Sequence, residues 1–151
     1  MNPQHAARAG EMFVAAEIHR RGGYAVTFAG NMPGIDILAS DLADTRRICI
    51  QVKTKSSGSW HARFPKDAAQ RGEDPAETSC WVFVDLGGEH LACFIAPRWW
   101  VRKDIWQDHT AYPGRYQQQH GHERESQHHG IRVGRVGQWL ERWDVLGILS
   151  R

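Results

Sequence analysis

The sequence lacks a run approaching the ~20 consecutive apolar residues of a bilayer-spanning helix, so no membrane-spanning helix is expected. The first residues, Met1 to Arg8, lack the apolar stretch of a signal peptide, and the expectation is a cytoplasmic, intracellular protein. Cysteine is scarce: Cys49, Cys80 and Cys93 are three in number and widely spaced, which argues against a disulfide framework or a CxxC metal site. All three sit in apolar, strand-like runs and read as buried thiols. Net charge is small, +2 from 19 Lys and Arg against 17 Asp and Glu, so bulk charge does not identify a polyanion partner. Nucleic-acid binding has to come from a local basic surface. Internal repeats and linkers are also missing, and 151 residues are enough for one domain with a core of its own.

What the chain does have is an organised centre. Pro33-Gly34-Ile35-Asp36-Ile37-Leu38 is answered, across a polar segment from Ser40 to Arg46, by Ile48-Cys49-Ile50-Gln51-Val52-Lys53. The connection has hairpin length. Side chains alternate along a strand, so Ile48, Ile50 and Val52 share an apolar face, while Cys49, Gln51 and Lys53 share the other. An aspartate on one strand beside a polar-X-Lys on the next is a plan for a metal-dependent phosphodiesterase site. Taken singly, the aspartate also suits a turn cap and the lysine a sheet edge.

Around that centre, the spacing predicts a helix from about His5 to Arg21, with Phe13, Val14, Ala15 and Ile18 on its apolar side and Gly22-Gly23 as its stop. Tyr24–Phe28 reads as a short strand, and Gly30–Gly34 as a turn. After Lys53, Thr54–His61 reads as a polar loop, and Phe64–Thr78 as irregular or partly helical. Trp81–Leu86 and His90–Ile95, joined by Gly87-Gly88, form a second hairpin. A helix is expected from Pro97 to Asp108, a long Gln-, His- and Gly-rich excursion from His109 to Gly130, and a closing amphipathic helix from Gln138 to Leu149 with Trp139, Leu140, Trp143 and Leu146 on one face. With seven tryptophans in the chain, most are assigned to packing; the C-terminal ones also suit a homodimer interface. The expected class is α/β (α+β), a mixed central β-sheet flanked by helices.

In order and spacing, Gly10-Glu11, Val14-Ala15, Ile18, Gly23-Tyr24, Gly34-Ile35-Asp36 and Gln51-Val52-Lys53-Thr54-Lys55 resemble the PD-(D/E)XK nuclease superfamily, in its Holliday-junction-resolvase-like branch. The match covers about residues 10 to 61. It implies a restriction-endonuclease-like core over about 10–96, with 97–151 as a C-terminal extension. It also implies a Mg²⁺-dependent endonuclease acting on nucleic acid, DNA in the first place, with Mn²⁺ as a substitute. The resemblance assigns Asp36, Gln51, the Val52 main-chain carbonyl and Glu11 to the metal, and Lys53 to the scissile phosphate or the attacking water. Glu17 competes with Glu11 for the helix position. Gln51 stands where the family usually carries Glu, although some branches are similar in having Gln there. A neutral amide is a weaker ligand for a hard cation, and this favours an alternative: a catalytically weakened module of the same fold that binds nucleic acid or a protein partner.

Lys55, Arg20, Arg21, His61, Arg63 and Lys66 are candidates for a phosphate-contacting rim. His109, His120, His122, His128 and His129 do not follow zinc spacings, and read as a polar loop that gains charge below pH ~6.5 rather than as a metal centre.

Overall fold

A computed structural model describes residues 1–30, 32–63, 72–108 and 128–150, for 128 and 129 the backbone only. The candidate rim residue Lys66, the histidines at 109, 120 and 122, and most of the excursion that contains them lie outside the described residues.

Helix α1 spans Pro3–Arg20. Asn2 caps it by accepting from the Gln4 N–H at 2.8 Å, and Pro3 occupies the first turn, where its missing N–H costs nothing. Ala6, Gly10, Val14 and Ile18 recur every four residues and form the buried stripe. Gly10 is there for close approach: a Cβ at this position would collide with the Thr54 hydroxyl. The helix stops as expected at Arg21 and Gly22, the latter with φ +88°.

The sheet consists of β1 (Tyr24–Thr27), β2 (Ile37–Ser40), β3 (Arg47–Lys55), β5 (Ser79–Asp85) and β6 (Ala92–Pro97), in the order β1-β2-β3-β5-β6. All pairs are antiparallel except β3 with β5, so the sheet is mixed. The alternation expected for β3 holds: Ile48, Ile50 and Val52 are buried against α1, and Cys49, Gln51 and Lys53 are half-buried on the other face. The second hairpin forms, and residues 98–108 form helix α2. Among the described residues no helix is long and apolar enough to cross a membrane.

Three expectations are corrected. Thr54–His61 is not one polar loop. β3 runs on to Lys55, and Trp60–Arg63 is a strand, β4, with Trp60 only 1% exposed and its indole N–H donating to the Val84 carbonyl at 2.9 Å. The end of the excursion, His128–Ile131, is strand β7, paired antiparallel with β4 in a separate small sheet. The closing segment is not one amphipathic helix. After a short α3 (Val133–Val136) come two 3₁₀ turns, Gly137–Trp139 and Trp143–Leu146. Between them Glu141 takes φ +53°, held there because its backbone N–H donates to Cys93 O at 2.8 Å while its carboxylate accepts from Cys93 N–H and the Trp143 indole. Trp143 and Leu146 are buried, whereas Leu140 is exposed.

These pieces make two cores, one on each side of the sheet. The first joins α1, the Ile48–Val52 face and Trp143, Leu146 and Ile148. The second packs Phe83 and Phe94 under Trp60, Ile131, Val136 and the Val101 and Ile105 face of α2. Between β3 and β5, Lys55 and Asp85 sit side by side in register, Nζ to Oδ2 2.6 Å, with Nζ also 4.8 Å from the centre of the Trp60 ring. Burial pushes the Asp85 carboxyl up, but the Lys55 bond and the Gly87 N–H outweigh it, so the carboxyl titrates below its ordinary value.

Two outcomes follow from this packing. Gly→Ala inside a helix normally gains up to about 1 kcal/mol, yet Gly10→Ala should lose roughly 1–3 kcal/mol in urea unfolding through overpacking; combining it with Thr54→Ala should return most of the loss. Asp85, with its depressed folded pKa, contributes stability that is present above the ordinary carboxylate pKa of ~3.9 and is lost as pH falls through the lower folded value. Lys55→Met should therefore destabilise the protein by roughly 1–3 kcal/mol at neutral pH and give a shallower decline of thermal midpoint on acidification than the parent. Parallel curves would show that the pair does not set the acid response.

Candidate active site

β2 and β3 part company at Asp36. Their last paired residues are Ile37 and Ile50, and the Asp36 N–H still donates to the Ile50 carbonyl at 2.9 Å. The next donor on that side of β3, the Val52 N–H, is taken by the Asp36 carboxylate instead, at 2.7 Å to Oδ2. The side chain thus replaces the backbone acceptor that β2 would have supplied. Residue alternation turns the Val52 carbonyl to the same side as its N–H. The Asp36 N–H reaches the same Ile50 that pairs with Ile37, so the ladder is broken at Asp36 as in a bulge, and Gln51 and Lys53 follow on the end of β3 that β2 leaves unpaired.

The electrostatics tie these groups together. Burial raises the Asp36 carboxyl above its ordinary value; the Val52 N–H opposes this, the neighbouring Glu11 carboxylate adds to it, and Lys53 opposes it. Burial lowers the Lys53 ammonium, and Asp36 partly restores it. The Lys53 Nζ also lies 5.6 Å from the centre of the Trp81 ring, a cation–π contact that the sequence reading missed. Its signal exists only in the parallel β3–β5 register, where Gln51 is level with Trp81.

Glu11 reaches the same place from α1. It and Asp36 line a cleft of about 400 Å³ whose one wall is Gln4, Ala7, Arg8 and Glu11 and whose other is Phe28, Ala29, Gly30, Ile35 and Asp36. Glu17 lies elsewhere. It is six residues on, ~9 Å along the helix axis, and is bound by Arg20 and Arg21, with its carboxyl lowered chiefly by the Arg20 bond. Of the two helix glutamates, then, Glu11 is the one placed beside Asp36. Arg8 was not singled out by sequence reading; it pairs with Glu11 at 2.7 Å, an i,i+3 contact that helical spacing makes visible in retrospect.

The oxygens placed here would suit a hard cation: the Asp36 and Glu11 carboxylates, with the Val52 carbonyl beside the N–H that Asp36 holds. No group of three or more His, Cys, Asp or Glu side chains able to hold a metal occurs among the described residues. A cation would rest on two carboxylates, with neutral oxygens and water completing its shell, a mode that Mg²⁺ accepts.

The expected basic rim is dispersed. Lys55 is 9% exposed and neutralised by Asp85. Arg20 and Arg21 are paired with Glu17, and Arg21 also lies over the Trp143 ring at 4.9 Å. They stand nine and ten residues beyond Glu11, ~14 Å along α1. His61 and Arg63 are exposed on alternate positions of β4.

No family model matches the chain, and no curated protein matches it. Among solved structures, it is similar to Hjc, a Holliday junction resolvase of the archaeal hyperthermophile Archaeoglobus fulgidus, with TM-score 0.54 and 14% identity over 96% of this chain and 98% of that one. The fold implied by the sequence resemblance is therefore the fold found: a mixed sheet flanked by helices, with the restriction-endonuclease-like architecture of that resolvase.

Proposed function

We propose that the protein is a nuclease, a Mg²⁺-dependent endonuclease that hydrolyses phosphodiester bonds of DNA. The observation that carries the reading is the seating of the Asp36 carboxylate on the Val52 N–H, with Glu11 and Lys53 close enough to shift its titration. A turn cap would explain the hydrogen bond. It would not explain a second carboxylate and a buried ammonium converging on it in a fold shared with a resolvase.

In this reading Asp36, the Val52 carbonyl, Gln51 and Glu11 hold the cation. When bound, Mg²⁺ supplies charge withdrawal from the phosphate and an aligned nucleophile. The chain's own contribution is then positional. Asp36 is fixed by one oxygen on Val52, and among the described residues no donor reaches the other, which stays available. Lys53, with its ammonium destabilised by burial, contacts the scissile phosphate or orients the attacking water and hands a proton toward the leaving oxygen. The Trp81 ring restrains the lysine head without consuming one of its three donors in a hydrogen bond.

One observation favours a second reading, a weakened module of this fold that binds nucleic acid without cutting it. Position 51 is an amide rather than a carboxylate, and Glu11 is already paired with Arg8, so the anionic charge available to a dication is low.

The two readings separate in one assay. The purified protein is incubated with supercoiled plasmid and with a branched oligonucleotide in Mg²⁺, in Mn²⁺ and in EDTA. The nuclease reading expects metal-dependent nicking, a loss of at least about 10²-fold in Lys53→Ala, and a lower Mg²⁺ requirement in Gln51→Glu. Binding of either substrate without cleavage under any of these conditions supports the module instead.

A further inference from the structure

The cleft carries one charged group that the proposed chemistry does not use. Gln4, Ala7, Arg8 and Glu11 follow the three- and four-residue spacing of a single helix face, and all four line the cleft. Arg8 sits one turn before Glu11. Its Nη1 donates to Glu11 Oε2 at 2.7 Å and its Nη2 to the Phe28 carbonyl at 3.1 Å. The second bond spans twenty residues of sequence and holds the guanidinium at the mouth between α1 and the segment that follows β1. The side chain is nevertheless 46% exposed.

A count of charge around the cleft defines what Arg8 is for. Among the described residues that line it, Glu11 and Asp36 are anionic and Arg8 is the cation. A phosphodiester strand approaching this cleft meets two carboxylates, and three of the predicted rim cations, Arg20, Arg21 and Lys55, are paired elsewhere. An exposed i,i+3 Arg–Glu pair is weak. A guanidinium facing a phosphate gains two parallel charge-assisted bonds, a stronger arrangement. The exchange also releases the Glu11 carboxylate from its partner when the strand arrives.

We infer that Arg8 is a phosphate-binding residue, gripping the nucleic-acid backbone beside the scissile position, and that its pair with Glu11 is the resting arrangement exchanged for substrate. The inference rests on the nuclease reading above and adds the residue that admits a polyanion to an acidic cleft. It also makes the two residues reciprocal: neutralising Glu11 leaves Arg8 with less to exchange.

Binding measured in EDTA tests this without any cleavage. A fluorescein-labelled duplex and a labelled branched oligonucleotide are titrated with the parent, Arg8→Ala, Arg8→Lys and Glu11→Gln proteins between about 50 and 200 mM salt. For the duplex, Arg8→Ala should weaken binding about ten- to hundredfold and reduce the slope of log K against log salt by roughly 0.9, the value of one phosphate contact. Arg8→Lys should keep the slope and recover part of the affinity, and Glu11→Gln should bind at least as tightly as the parent. A purely structural role for Arg8 would move the thermal midpoint and leave the salt slope alone, so an unchanged slope and affinity in Arg8→Ala overturn the inference. Should that variant not fold, Arg8→Gln, which keeps a donor for Phe28, takes its place. If the parent binds neither probe, the nuclease reading falls and this inference with it. If the parent binds and the Arg8 variants match it, only the role of Arg8 falls.

Discussion

The hydrogen bond from the Val52 N–H to the Asp36 carboxylate is the constraint on which the site depends. β3 is a nine-residue strand, while β2, beside it, is only four residues long. A shorter partner leaves donors and carbonyls of β3 without a ladder, and a buried backbone group left unpaired is costly. Asp36 answers the first donor past the end of β2 with its side chain. That fixes the carboxylate in the plane of the sheet at the point where the strands open. The cost of placing it there shows in its raised titration, which burial begins and Glu11 adds to. Lys53 relieves part of that cost and gives up part of its own solvation in return. Asp36 and Lys53 are thus each held in a state that neither would keep alone.

The two faces of β3 divide the work. Ile48, Ile50 and Val52 bury against α1, which brings Glu11 over the open end of β2. Gln51 and Lys53 turn toward the side built on Phe83, Trp60 and α2. The close contact of Gly10 with Thr54 sets how tightly α1 lies on β3, and Glu11 is the next residue along the helix. Packing and the geometry of the cleft are therefore coupled through one turn of helix, where a larger residue would displace the Glu11 carboxylate as well as strain the core.

What was legible in the sequence is what local periodicity encodes. The period of two in Ile48–Lys53 gave the two faces of β3, and the spacing of Val14, Ala15 and Ile18 gave the buried side of α1, to which the structure adds Ala6 and Gly10. Order and spacing singled out Asp36, Glu11 and Lys53; Glu11 and Asp36 line one cleft, and Lys53 is near enough to act on the Asp36 carboxyl. The readings that failed depended on partners far away in the chain. Trp60 sits among Ser, Gly and His, so its run looks like a loop until Phe83, Phe94 and the Val84 carbonyl are supplied. Lys55 follows Lys53 on one face and looked equally available. Its ion pair with Asp85, thirty residues on, exists only because β3 and β5 are parallel. The apolar positions of Gln138–Leu149 suit a helix, but the bonds between Glu141 and Cys93 impose a positive φ that no continuous helix tolerates.

The amide at position 51 gains its meaning from the charges around it. In the proposed site a glutamate there would add a third carboxylate to Asp36 and Glu11, and Asp36 is already raised by burial and by Glu11. With glutamine the cluster holds fewer anions in the absence of a cation, and the burden of attracting one shifts to Asp36 and Glu11. Glu11 is the member whose availability is adjustable, because it is shared with Arg8. A site of this composition becomes most electronegative toward a cation when something else occupies Arg8. With Arg8 gripping a phosphate as proposed, strand binding and cation binding would favour each other through a single exchangeable ion pair.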